Sequence, residues 1–255
     1  MSLFLRKYLV GSRYVGTFAA VLVLLLASVA GAASITFDTP LGSTVGGQPV
    51  SATATFSTGA GILTVNLTNL QDNPKSVIQN LSDLSFVLSG GLTAGSLTSS
   101  SALERTVNSN GTFTNGATGA TGWELDPSGL RLHVLGTLIG PAHTLIGGPD
   151  GSNVYSNANG SIAGNGPHNP FITGTATFSL AGLGITTDST ITSAIFSFGT
   201  TEGNNVTGTC IRDCTPPPQV VPEPSTWLML VTGTLGLLGY GWSRRRLPQD
   251  AGTSI

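Results

Sequence analysis

Apolar side chains recur at every second position through much of the chain. Val50, Ala52, Ala54 and Phe56 alternate with Ser51, Thr53, Thr55 and Ser57, and Leu63, Val65 and Leu67 alternate with Thr64, Asn66 and Thr68. The period returns at Leu84, Phe86 and Leu88, at Leu130, Leu132 and Val134, and at Ala194, Phe196 and Phe198. Between these, Ile172, Gly174, Ala176, Phe178 and Leu180 alternate with Thr173, Thr175, Thr177 and Ser179. Successive side chains of a strand point to opposite faces, so this pattern predicts strands with one buried and one solvated face. β-branched Thr suits the solvated one. Glycine-rich turns separate the runs, which predicts an all-β domain, an antiparallel β-sandwich or jelly roll, over residues 33–208. Helical pattern within it is confined to a turn or two between Lys75 and Leu84. The pentad Thr53-Ala54-Thr55-Phe56-Ser57 recurs as Thr175-Ala176-Thr177-Phe178-Ser179, as a relic of duplication or as two paired strands with similar needs.

Both ends break the period. Arg6, Lys7 and Arg13 precede an almost wholly apolar run from Thr17 to Val29, and Ala30-Gly31-Ala32 follows. A basic region, an apolar region and small residues at the cleavage positions form a secretory signal peptide, here residues 1–32, read by signal peptidase at Ala30 and Ala32. No Cys follows the apolar run and Arg6-Lys7 is not an arginine pair, so the general secretory route is expected. At the other end, Thr226 to Trp242 is uncharged and makes a helix of about 25 Å, a little under the ~30 Å of a hydrocarbon core, which local thinning accommodates. Trp227 lies at one end, with Tyr240 and Trp242 at the other, where such rings favour membrane interfaces. Arg244, Arg245 and Arg246 predict a stop-transfer cluster left in the cytoplasm, with residues 247–255 as a short tail.

Composition agrees with export. Only 9% of the 255 residues are charged, against about 25% in an ordinary soluble domain. Between Ser34 and Val221 the basic residues are Lys75, Arg105, Arg131 and Arg212, against ten acids. Nucleic-acid binding needs a basic stripe that displaces counterions from phosphate, and a mildly acidic domain with four scattered cations excludes that class. The recurring Leu, Ile, Val and Phe exclude a disordered chain as well.

The C-terminal arrangement is specific. Val221-Pro222-Glu223-Pro224-Ser225-Thr226-Trp227, the apolar span and the Arg cluster succeed one another within residues 221–246. This closely resembles the PEP-CTERM sorting signal. The resemblance implies processing by an exosortase, a membrane cysteine protease that cuts near Pro222, Glu223 and Pro224. It also implies an exopolysaccharide-producing bacterium, an inner-membrane-anchored precursor, and a mature protein at the cell surface or in the matrix. The residues suit a protease site, because two prolines fix φ and cannot extend a helix or strand, presenting Glu223 on an extended segment.

Residues 209–221 read as a stalk. Pro216-Pro217-Pro218 favours polyproline II, a semi-rigid spacer, and Cys210 and Cys214, the only cysteines, predict a short-loop disulfide in an oxidising compartment. Free thiols or bridges between chains are the alternatives.

Chemistry is sparse. The glycine-rich stretch from Gly147 to Pro170 is longer than most loops and is the place to expect a specific site. Asp150 and Asn153 offer oxygens there for Ca²⁺, yet no Glu follows at EF-hand spacing, and a plain surface loop is the competing reading. Tyr155 and Trp123 would stack on a sugar or pack in the core. His133, His143 and His168 are scattered, and Glu124 and Asp126 share one strand face beside a turn-forming Asp126-Pro127-Ser128-Gly129. Asn66, Asn80, Asn110, Asn159 and Asn205 open N-x-[ST] sequons, which chance alone produces in such a composition. No nucleophile elbow, phosphate loop, dinucleotide fingerprint or zincin helix occurs, so neither catalytic residues nor a cofactor or metal centre are expected. Three functions follow: a non-enzymatic surface or matrix protein whose Thr/Ser face contacts exopolysaccharide or neighbouring copies; a secreted polysaccharide-active hydrolase built on an acid pair such as Glu124 and Asp126; and an ice-binding face, for which two T-x-T segments are few.

Overall fold

The computed structural model describes residues 33–91, 95–126, 129–136, 143–182, 184–214 and 224–244. The signal peptide with Ala30 and Ala32, and the sorting residues Pro222, Glu223, Arg245 and Arg246, lie outside them. The chain divides into two compact units, Met1–Pro217 and Pro218–Ile255.

The described residues of the first unit are all-β. Its strands are β1 (Ala33–Asp38), β2 (Thr44–Val45), β3 (Gln48–Pro49), β4 (Ala52–Gly59), β5 (Ile62–Asn69), β6 (Leu81–Leu88), β7 (Ser96–Val107), β8 (Phe113–Gly119), β9 (Glu124–Asp126) and β10 (Arg131–His133). They continue with β11 (Leu145–Ile146), β12 (Phe171–Ala181), β13 (Ile191–Phe198), β14 (Asn205–Thr207) and β15 (Thr209–Arg212). The helical signal between Lys75 and Leu84 resolves into a single 3₁₀ turn, Val77–Gln79, before β6 begins.

Hydrogen bonding arranges the strands in two arms. One runs β15-β1-β4-β5-β12-β7-β8 and the other β14-β13-β6-β10-β9. The short β11 joins them, pairing with β6 at Leu145 and with β12 at both its residues. Its pairing with β12 is parallel, so the wholly antiparallel sheet expected from the sequence has one exception. Pairing through β11 also makes the arms one continuous 13-stranded network. Asn69 fixes this junction: its side-chain amide donates to the carbonyls of Gln79 and Leu145, both at 2.9 Å, and its oxygen accepts from the Gln71 N–H.

The arms meet through their inward faces. Phe56 on β4 packs on Phe86 of β6 with ring centroids 5.2 Å apart, and Phe37 of β1 meets Phe56 edge-on at 6.1 Å, arrangements that aromatic quadrupoles favour. Val50, Phe56, Leu63, Val65, Leu67, Phe86, Leu132, Val134, Phe178, Phe196 and Phe198 are all buried. These are the inward positions of the period-two pattern, and a one-residue slip of any strand would exchange them for hydroxyls.

On β12 the alternation fails at Gly174. Gly174 adopts a φ of +73° and is exposed, while its neighbours Phe171, Ile172 and Thr173 are all buried. The backbone kinks there, so β12 leaves the register of its second half and feeds Phe171 into a separate apolar cluster with Val107, Ile146, Tyr155 and Ile162. Glycine inside a strand commonly marks such a bend.

The second unit contains one described helix, α1 (Pro224–Arg244), with Leu230, Val231, Leu235, Leu237, Leu238, Tyr240 and Trp242 exposed. The Thr234 hydroxyl donates back to the carbonyls of Leu230 and Val231, the latter at 3.1 Å. Among the described residues no helix is long and apolar enough to cross a membrane. In α1 the leucines are interrupted by Gly233, Gly236, Gly239 and Gly241 and by Thr232 and Thr234, which lower its hydropathy below that of an ordinary span.

Candidate functional site

Two surfaces of the first unit concentrate polar side chains, one on the outer face of each arm.

On the larger arm the strand registers align outward residues into rows. Thr36 stands opposite Thr55, Thr55 opposite Asn66, Asn66 opposite Thr177, and Thr177 opposite Ser101. A second row runs Ser34, Ser57, Thr64, Ser179 and Ser99, and a third Asp38, Thr53, Thr68 and Thr175. Neighbouring strands lie about 4.8 Å apart and alternate residues about 6.7 Å, so the rows form a grid of hydroxyls and one amide, charged only at the Asp38 corner. Side chains bond along the rows: Thr36 with Thr55 at 3.1 Å, Thr68 with Thr175 at 2.9 Å, and the Thr177 hydroxyl donating to Asn66 at 2.9 Å. The recurring pentads explain themselves here. Their strands, β4 and β12, do not pair with each other; they flank β5 and hold equivalent residues in the same rows. The two T-x-T segments are thus parts of one surface, bridged by Thr64, Asn66 and Thr68.

On the smaller arm the outward residues are different. One row is Glu124, His133, Asp83, Ser197 and Asn205; the next is Asp126, Arg131, Ser85, Ile195 and Thr207. Asp83, Ser197 and Asn205 of the first row and Arg131 and Ser85 of the second, with Glu202, border a recess of about 260 Å³ that Ser82 and Leu135 also line. The Asp83 side chain is 4% exposed and accepts from Arg131 Nε, while Arg131 Nη2 donates to Glu202 Oε1 at 3.0 Å. Burial raises the Asp83 carboxyl above its ordinary value, outweighing the lowering by Arg131, His133 and the Ser85 hydroxyl. For Arg131, burial acts downward, but the bonds to Asp83 and Glu202 prevail and raise it. The Ser82 hydroxyl donates to the Ser197 carbonyl and the Ser197 hydroxyl to Asn205.

The remaining residues singled out from the sequence are placed differently from a functional site. Trp123 and Tyr155 are 3% and 1% exposed, so neither is a platform for a sugar ring. Trp123 packs on Phe178 at 5.4 Å and donates from Nε1 to the His143 carbonyl. The Tyr155 hydroxyl donates to the Gly147 carbonyl at 2.8 Å and accepts from Arg105, whose guanidinium lies 4.0 Å over the Phe113 ring; burial, the largest influence, raises the phenol. The stretch from Gly147 to Pro170 is therefore a strapped segment, bonded through Tyr155 N–H to Gly111, Asn159 N–H to Lys75 and Gly164 N–H to Val107.

Asp150 engages its carboxylate within its own turn, accepting from the Ser156 hydroxyl and from the N–H groups of Val154 and Ser152, which lower it. Asn153 takes the left-handed φ of +61° that this turn needs. His133 Nδ1 donates to the Leu135 carbonyl at 2.9 Å. Among the described residues no three His, Cys, Asp or Glu side chains gather as a metal set. Glu124 and Asp126 share a face of β9 opposite His133 and Arg131. Asn80 is fully buried, unsuited as a glycan acceptor. A disulfide joins Cys210 and Cys214 at the end of β15, and Pro224 and Arg244 are the first and last residues of α1.

Among the described residues, the chain thus has an all-β unit whose hydroxyl face carries charge only at Asp38, and a C-terminal helix. Residues 220–246 match the PEP-CTERM protein-sorting motif, which marks an exported protein sorted by an exosortase. No curated protein and no solved structure matches the chain.

Proposed function

We propose that the chain is a non-enzymatic protein of the cell surface or extracellular matrix, and that its hydroxyl rows contact exopolysaccharide. The first 32 residues direct export and are removed by signal peptidase. The C-terminal helix with Arg244, Arg245 and Arg246 holds the precursor at the inner membrane until an exosortase cuts near Pro222-Glu223-Pro224. The two arms act as the layers of a β-sandwich, a stiff support that keeps the rows flat.

The observation that carries this reading is the three-row grid across β1, β4, β5 and β12. A neutral polysaccharide presents hydroxyls at regular intervals and exchanges hydrogen bonds with such a grid without desolvating a charge, which is the costly step in polar recognition. Single contacts contribute little, about 1 kcal/mol each, so many aligned ones are required. Co-sedimentation with polysaccharide from the same matrix tests it: the full chain should sediment, and replacement of Thr53, Thr55, Thr175 and Thr177 by Val should weaken binding at least about tenfold. Unchanged binding would refute the assignment.

The same grid favours a second reading, an ice-ordering face, because it joins the two T-x-T segments into one surface. Inhibition of ice recrystallisation by the chain, lost in the same Val variant, would select it.

A further inference from the structure

We propose that the recess on the outer face of the smaller arm, walled by Asp83, Arg131, Glu202, Ser85, Ser197 and Asn205, binds a single neutral sugar unit through its vicinal hydroxyls. It is separate from the hydroxyl rows on the other arm and stands or falls without them.

The lining selects the ligand. Five of the fourteen charged side chains between Ser34 and Val221 (Asp83, Glu124, Asp126, Arg131 and Glu202) cluster on this face. Burying a carboxylate is costly unless it is paired and bonded, and Asp83 is buried with both Arg131 and Ser85 as partners. Solvating charge at an exposed strand would be simpler, so the arrangement holds a carboxylate and a guanidinium at fixed positions below the surface.

An anionic ligand would meet two carboxylates, Asp83 and Glu202. A bare metal ion would meet the Arg131 guanidinium, and no three ligating side chains gather there among the described residues. Among the described residues an apolar ligand would find Leu135 as the one aliphatic wall. A neutral polyol meets none of these objections. Its hydroxyls donate to the carboxylates and accept from the guanidinium, serine hydroxyls and Asn205 amide. The recess, about 260 Å³, has room for one ring rather than a chain, which suits a terminal or branching unit.

Saturation-transfer NMR on the purified full chain in detergent micelles, with the methyl glycosides of glucose, galactose and mannose as probes, tests the site. At least one should bind saturably, and Glu202→Gln, which alters an exposed wall residue and spares the core, should weaken it about tenfold. Glu124→Gln, on the same face outside the recess wall, should leave it unchanged. Absence of saturable binding by all three probes would overturn the proposal, as would binding insensitive to Glu202→Gln. Tighter binding of methyl glucuronide than of the neutral probes would contradict the charge argument. Loss of binding in the Thr53/Thr55/Thr175/Thr177 Val variant, with Glu202→Gln silent, would move the sugar to the hydroxyl rows.

Discussion

The Thr177 hydroxyl donates to the side-chain oxygen of Asn66 at 2.9 Å, joining residues 111 positions apart on the outer face of β12 and β5. One residue along, Phe178 faces the opposite way and is fully buried against Trp123. Two adjacent residues therefore divide into a surface role and a core role, and substitutions should separate them. Phe178→Ala should cost about 3–5 kcal/mol through lost transfer energy and the cavity left behind. Thr177→Ala should cost about 1 kcal/mol, the worth of a partly exposed hydrogen bond. Urea unfolding of the two variants checks this; a larger loss for Thr177→Ala would reverse the face assignment.

Tyr155 predicts how the segment from Gly147 to Pro170 is held. Its hydroxyl bonds the Gly147 carbonyl at a position where no side chain fits, since a Cβ on Gly147 would lie 1.9 Å from the Gln71 carbonyl oxygen. Tyr155→Phe leaves that carbonyl and the Arg105 guanidinium short of a partner and should cost about 1–3 kcal/mol. Limited proteolysis should then show faster cleavage within 147–170, with the strands unaffected. Equal protease resistance would mean that the backbone bonds of Tyr155, Asn159 and Gly164 suffice.

Asp83 makes stability depend on pH in a stated direction. Its folded pKa lies above the ordinary 3.8 because of burial, so the native state binds this proton more tightly than the unfolded chain. Its contribution is complete below about pH 4 and is lost as pH rises through the raised value. Thermal melts between pH 4 and 7 should show a smaller decline with rising pH in Asp83→Asn than in the parent chain. Identical slopes would show that another group sets the dependence.

Most of the fold was legible in the sequence because a strand with one buried face writes its orientation every second residue. Where no such face exists the pattern vanishes. β7 and β8 went unread because residues such as Ser96, Thr98, Ser99 and Ser101, and all of β8 beyond Phe113, are exposed. Gly174 sat in an inward slot of the pattern and turned out to be the kink. The hydroxyl rows were half legible: the T-x-T segments showed, but their union through β5 depends on strand order, which alternation does not encode. The recess was not legible. Asp83 and Arg131 are 48 residues apart and Arg131 and Glu202 are 71 apart, and only the register of β6, β10 and β13 brings them together. The one available signal was Asp83 itself, a carboxylate within the apolar run of β6.

The recovery of the chain from the polysaccharide fraction of the matrix, with its termini read by intact mass, tests the central claim most directly. The account predicts a mature chain beginning at Ala33 or Ser34 and ending near Pro222-Glu223-Pro224, bound to polysaccharide. The Thr53/Thr55/Thr175/Thr177 Val variant should be processed identically yet appear in the free medium. A matrix-bound chain still carrying Met1 or residues Trp227 to Arg246 would contradict the export and sorting account. A Val variant that stays with the polysaccharide would contradict the role given to the hydroxyl rows.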